Sequence, residues 1–291
     1  MASLETGTIR ANDVDFAYFA TGPASGPLAL CLHGFPDTAH TYRHLLPLLA
    51  DAGYRAVAPF LRGYAPTSVP ADGLYQTGAL GIDAIALHEA LGGGGDAVII
   101  GHDWGASATY IAANHAPDRW RNVVAMAVPP GPALAAAFLR YEQIKRSFYM
   151  FFFQLPLADM IVPMNDHAFI AGLWADWSPG YDGAEDVAHV RESLGAPENL
   201  AAAIGYYRAT FDPSKQSPSL ADAQAAGGRV PGQPTLYLHG AQDGCIGVEV
   251  GRAAEGTLSE GSSVVIVEGT GHFLHLEKPD EVNRMIVEFL S

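Results

Sequence analysis

A mostly parallel, doubly wound α/β sheet carrying a helical lid is the fold class this sequence predicts. Three observations predict it. Short, nearly continuous apolar runs alternate with longer stretches of helical periodicity, the alternation stops between Gly131 and Val230, and it then resumes to the C-terminus. Unbroken apolar runs, rather than strict in–out alternation, mark strands covered on both faces. A βα alternation of that kind closes into one sheet with right-handed crossovers.

The opening ETGTIRANDVDFAYFATG reads as an antiparallel hairpin at one sheet edge. The strands expected next are 27–34 (PLALCLHG), 54–61 (YRAVAPFL), 96–103 (DAVIIGHD), 122–130 (NVVAMAVPP), 234–240 (PTLYLHG) and 263–269 (SVVIVEG). Leu80, Ala84, Leu87 and Leu91 form one apolar stripe of a helix over 77–91. Near the end, Val282, Met285, Ile286, Phe289 and Leu290 follow helical spacing. Pro279 opens that helix, and Asp280 and Glu281 sit in its first turn, where the helix dipole favours anions. Aromatic, Ala and Pro residues dominate the middle, as in RSFYMFFFQLP and GYYRATFDP. The expected organisation is therefore a core of 1–130 plus 231–291 and a helical cap of 131–230. The run Gly92–Gly95 lacks the Lys of a phosphate loop and reads as a helix-to-strand connection.

Composition narrows the function classes. With 16 Lys+Arg against 31 Asp+Glu, the 291-residue chain carries a net charge of −15, which argues against a nucleic-acid partner. No run of about 18 apolar residues is present, so no membrane span is expected. The opening MASLETGTIRAND has no apolar h-region, so a cytoplasmic setting is expected. Cys31 and Cys245 are too few for a disulfide framework or a four-ligand zinc site.

The chemistry concentrates at Gly101-His102-Asp103-Trp104-Gly105, between an expected strand and an expected helix. This is the setting of a nucleophile elbow, whose flanking glycines let a tight turn lift one side chain above the sheet. Asp103 holds the raised position. A Ser there needs a base to take its proton, whereas an aspartate (ordinary pKa about 3.9) is ionised at neutral pH. Such a carboxylate attacks an sp³ carbon, as in an epoxide or a carbon–halogen bond. A His is then free to activate water against the resulting ester. His272 follows the last strand and fits that role, with His275 as the alternative. Asp243, just past the strand 234–240, is the expected orienting acid, because AVPPG (127–131) after the preceding strand has no carboxylate. The order nucleophile, acid, base suits this arrangement. The backbone N–H groups of Trp104 and Phe35 are the expected oxyanion donors, since Pro36 has none to give.

HGFPD (33–37), GHDWGA (101–106) and the late GHF (271–273), together with the mid-chain insertion, resemble the epoxide hydrolases of the α/β-hydrolase superfamily over nearly the whole chain. That resemblance implies an α/β-hydrolase fold, no cofactor, and two lid tyrosines that protonate the epoxide oxygen. Matching the family's pattern, one precedes a Phe-Gln-x-Pro stretch and becomes Tyr149; the other precedes an Arg and becomes Tyr207, with Tyr206 one register away. Phe35, Trp104, Phe151, Phe152, Phe153 and Trp174 are the expected substrate-binding surface. The expected partner is a small epoxide, with a homodimer compatible with the sequence. A haloalkane dehalogenase uses the same covalent route; Phe35 offers it no side-chain donor, but Trp174 and Trp177 keep a lid donor open. A non-catalytic ligand sensor on this scaffold is the remaining alternative.

Overall fold

A computed structural model describes residues 4–291. Residues 1–3, part of the opening read above for a leader, lie outside the described residues. Strands β1 (Glu5–Ala11) and β2 (Val14–Thr21) form the expected edge hairpin. They are followed by β3 (Leu28–Leu32), β4 (Arg55–Pro59), β5 (Val98–His102), β6 (Asn122–Met126), β7 (Thr235–Gly240) and β8 (Ser263–Val267). The sheet order is β1-β2-β4-β3-β5-β6-β7-β8. From β4 to β8 all pairings are parallel, and β2 joins β4 antiparallel. Every residue of β3, β5 and β7 is buried, while four of the five residues of the edge strand β8 are not. Two-sided burial is the reason the inner strands read as unbroken apolar runs.

Three helices precede the insertion: α1 (Leu45–Asp51), α2 (Thr77–Ala90) and α3 (Trp104–His115). Leu80, Ala84 and Leu87 on α2 are buried, as their spacing requires. Between β6 and β7 come α4 (Gly131–Phe138), α5 (Tyr141–Arg146), α6 (Phe148–Phe152), α7 (Leu157–Ile161), α8 (Met164–Trp177, with a left-handed break at 165–167), α9 (Ala184–Leu194), α10 (Pro197–Phe211) and α11 (Ala221–Ala226). Most of these cover the carboxyl ends of the strands. The short α11 instead lies on α2 and α3, where Ala223 and Ala226 pack against Ile111. The chain ends with α12 (Val248–Arg252), α13 (Leu274–Glu277) and α14 (Pro279–Leu290), the last burying Val282, Ile286 and Leu290. Among the described residues no helix is long and apolar enough to cross a membrane.

The sheet order positions the site. From β3 the chain crosses to β4 on one side, and then returns to β5 on the other. The loops leaving β3 and β5 therefore part at a topological switch point, the usual place for a ligand crevice in such sheets. Leu32 pairs with Gly101 at the end of that ladder, which sets the HGFPD loop beside Asp103.

Candidate active site

Asp103 occupies the turn between β5 and α3 with φ 53° and ψ −118°, a conformation that a non-glycine residue rarely holds unless its surroundings enforce it. Two glycines permit it. A side chain at Gly101 would run into the Gly105 carbonyl. A side chain at Gly105 would run into the Leu32 carbonyl, so the need at 105 comes from the neighbouring strand rather than from the turn itself. The raised carboxylate is not open to solvent: the helices after β6 cover it, and Asp103 is 6% exposed.

A hydrogen bond on one side and a charge contact on the other hold the carboxylate. The Phe35 N–H donates to Asp103 Oδ1 at 2.8 Å. The loop that carries it is pinned by buried His33, whose Nδ1 meets Gly34 O at 2.9 Å and whose Nε2 accepts from Leu61 N–H at 3.0 Å. Burial pushes His33 down to about 4, so it remains a neutral strut. On the other side, His272 Nε2 lies 3.6 Å from Asp103 Oδ2, and its Nδ1 lies 2.9 Å from Asp243 Oδ2. Asp243 Oδ1 accepts from the N–H groups of Cys245 and Ile246 at 2.7 and 2.9 Å. His102, next to the nucleophile position, has Nε2 2.9 Å from His272 O and steadies the loop from beneath.

Burial opposes charge on this pair, but mutual attraction prevails. The Asp243 ion pair, and the contacts with Asp103 and Asp243, overcome desolvation and raise His272 to about 10. Asp243 is held below the usual carboxylate range against its own burial by His272 and the amide donors. A folded-state pKa above the ordinary 6.5 means that the charged imidazole stabilises the fold fully below that pH and ceases to do so as pH rises through about 10. The melting temperature of the wild type should therefore fall more steeply than that of His272→Gln as pH rises from about 7 through about 10, as read by thermal unfolding. Parallel curves would contradict this linkage.

A cavity of about 70 Å³ opens onto Asp103 and is bounded by Trp104, Tyr149 and Tyr207. Burial raises both tyrosines well above the ordinary value, so both keep their protons. Tyr207 Oη has no hydrogen-bond partner among the described residues, and Tyr149 Oη lies 3.4 Å from Cys245 Sγ. Tyr206 points elsewhere, donating to Arg62 O at 2.8 Å. His275 is likewise engaged away from Asp103, with Nε2 2.6 Å from Thr41 Oγ1.

The remaining expected contacts divide. Phe35 and Phe153 are buried edge-to-face against Tyr207 with ring centroids 5.1 Å away, and so form the wall behind it. Phe151 does not line the cavity: it is 40% exposed and packs on Phe211. Phe152 stacks on Phe169. Both displacements follow from α6, since residues on a helix rotate about 100° per step: Tyr149 and Met150 turn to the cavity, Phe153 at the helix end falls four residues after Tyr149, and Phe151 and Phe152 are carried away from it. Trp174 is also outside the cavity. Its Nε1 donates to Pro36 O at 2.8 Å, and its ring stacks on Phe273 at 3.5 Å, which clamps the insertion onto the HGFPD loop. Sequence reasoning missed Leu134, Phe138, Met150 and Ile246, which line the cavity. Leu134 and Phe138 stand four apart on α4, a spacing visible in the sequence, but their direction is fixed only by packing. A wider groove of about 660 Å³, near Tyr18, His40 and Glu192, contains no member of the Asp103 cluster.

Comparison with known proteins places the fold in a family. Residues 27–279 match the family model described as alpha/beta hydrolase fold. The chain is 31% identical to epoxide hydrolase A of Mycobacterium tuberculosis, over 97% of this chain and 96% of that protein. The crystal structure of epoxide hydrolase A from Mycobacterium thermoresistibile superposes with a TM-score of 0.81 at 26% identity, covering 99% of this chain and 98% of that one. The Bacillus megaterium epoxide hydrolase gives 0.81 and 26%, with 98% and 99% covered. With its nucleophile-elbow turn at the switch point of a sheet matched along most of its length, this chain belongs to the α/β-hydrolase fold family.

Proposed function

We propose that the protein is an epoxide hydrolase that converts an epoxide to a vicinal diol through an alkyl ester on Asp103. One observation carries the reading: two protonated tyrosine hydroxyls, Tyr149 and Tyr207, border the same small cavity as a carboxylate backed by a His–Asp pair. The similarity to the mycobacterial and bacillar epoxide hydrolases supports it.

In this scheme the oxirane oxygen accepts hydrogen bonds from Tyr149 and Tyr207. Asp103 attacks a ring carbon from the opposite side. The C–O bond of the ring breaks, and a tyrosine proton passes to the departing alkoxide. His272 then removes a proton from water, and the hydroxide attacks the ester carbonyl. The N–H of Phe35, already bonded to Asp103 Oδ1, holds the carbonyl oxygen as it gains charge, together with the N–H of Trp104. Collapse expels the second oxygen as an alkoxide, which takes the proton of the newly added hydroxyl and leaves as the diol; Asp103 is restored as a carboxylate, and the proton held on His272 returns to the tyrosinate through the site's water. The scheme requires no metal or organic cofactor. Leu134, Phe138, Met150 and Ile246 favour an apolar substituent on the ring.

Haloalkane dehalogenation shares the nucleophile but expels a halide, which needs N–H donors and no acid. Trp174 spends its N–H on Pro36 O, which removes one donor from that alternative. The test is diol formation from a panel of small epoxides alongside halide release from bromoalkanes. Tyr207→Phe should lower kcat/KM on the preferred epoxide by about 10- to 100-fold, since a hydrogen bond to a charged oxygen is worth about 1.5–3 kcal/mol. Halide release in place of diol, or a Tyr207→Phe enzyme as fast as the wild type on epoxides, would refute the reading.

A further inference from the structure

The two cavity tyrosines differ, and the difference lies in Cys245. Tyr207 Oη is unpartnered and buried at the cavity wall, whereas Tyr149 Oη lies 3.4 Å from Cys245 Sγ. That sulfur sits within the reacting cluster: Sγ, an Asp103 carboxylate oxygen and a His272 ring nitrogen all lie within 4.8 Å of one another. Its backbone is independently fixed. The Cys245 N–H donates to Asp243 Oδ1, and Cys245 O accepts from Gln143 Nε2 at 2.9 Å, with Gln143 Oε1 accepting in turn from Gly247 N–H. Gln143 is a buried residue of α5, so this turn is clamped between the orienting acid and the covering helices.

Resting on the epoxide hydrolase reading above, we infer that Cys245 is a positioning residue whose sulfur holds the Tyr149 hydroxyl at the cavity until substrate arrives. The chemistry suits a temporary partner. A buried hydroxyl without a partner is costly, and a thiol accepts only weakly. Sulfur therefore satisfies the Tyr149 O–H in the empty site and yields it readily to the oxirane oxygen, a better acceptor. Tyr207, with no such partner, depends on packing against Trp104, Phe35 and Phe153 for its aim. The two acids thus enter the ring-opening step differently prepared: one is held by a bond and the other by shape. The backbone bonds at 245 survive a side-chain substitution, so such a variant leaves the Asp243 amide donors in place.

The test is a double-mutant cycle read by the single-turnover rate of ester formation. Cys245→Val keeps the volume and removes the acceptor. It should slow ring opening about 2- to 10-fold in the wild-type background, a modest loss of the kind expected when a reacting group is less well oriented. In the Tyr149→Phe background the same substitution should change the rate by less than about 1.5-fold, and in the Tyr207→Phe background the loss should persist. The rate of ester hydrolysis should not move. If Cys245 serves only packing, Cys245→Val behaves as wild type while Cys245→Ala loses activity equally in all backgrounds, and the inference fails. Should Tyr149→Phe alone leave epoxide turnover unchanged, the role given to Tyr149 fails first. A slow Tyr149→Phe enzyme with no coupling to Cys245 overturns only the present inference.

Discussion

Replacing Asp103 by Ala should reduce diol formation by at least about 10⁴-fold, because on the proposed scheme the substitution removes the carboxylate that bonds to the ring carbon. The fold should persist. Asp103 holds an unfavourable backbone conformation, and its side chain accepts one backbone hydrogen bond, from Phe35, so its loss does not open a core cavity. Near-native circular dichroism with absent turnover is the expected pair of results. The isosteric Asp103→Asn enzyme should be as inactive at first, and any activity that grows with time must track deamidation by mass spectrometry. A single turnover in ¹⁸O-water with enzyme in excess examines the same bond from the other side. The first diol should carry unlabelled oxygen, because its new oxygen comes from Asp103, and the label should appear in the protein. A labelled first diol would mean that water attacks the epoxide directly, with His272 and Asp243 as the general base and Asp103 reduced to an electrostatic role.

How much of this could be read from the chain follows from which interactions are local. The inner strands were legible because burial on both faces leaves few polar residues, as in Val98–His102, which runs VIIGH. The elbow was legible because its glycines answer to atoms within a few ångströms that any such turn must meet. His272 and Asp243 were legible from their places after β8 and β7, since only the carboxyl ends of the strands face the switch point. The covering helices were less so. A run such as Phe151-Phe152-Phe153 shows that the segment is apolar but not which ring turns inward, because a helix distributes neighbours over its whole circumference. The same rotation separates Tyr206, bonded to Arg62 O, from Tyr207, which reaches the cavity. Trp174 looks like a ligand contact in the sequence, yet its indole is consumed by Phe273 and Pro36, partners from the two distant ends of the chain.

Substituting His272 by Gln should separate the two halves of the reaction. On the proposed scheme ring opening needs only Asp103 and the tyrosines, so it should continue. Ester hydrolysis needs a base, and its rate should fall by about 10²- to 10⁴-fold. The protein should then gain the mass of one epoxide per chain in a single burst and stall. The charge arrangement adds a stronger expectation for the wild type. His272 rests between two carboxylates, which raise it to about 10, and in that state it is a poor base at neutral pH. Esterification neutralises Asp103, which lies 3.6 Å from His272 Nε2. Removing a unit charge at that distance is worth roughly 5 kcal/mol at an effective dielectric constant near ~20. That corresponds to about three pKa units, enough to bring the imidazole close to neutral pH. The nucleophile would thus keep the base protonated until it has itself reacted, so that water is activated only when an ester is present to receive it. The pH profile of ester hydrolysis should then rise with an apparent pKa well below that of His272 in the free enzyme. Both are measurable, the first by stopped-flow decay of the intermediate and the second by NMR titration of the imidazole. Equal values in the two states would show that Asp103 does not control the base.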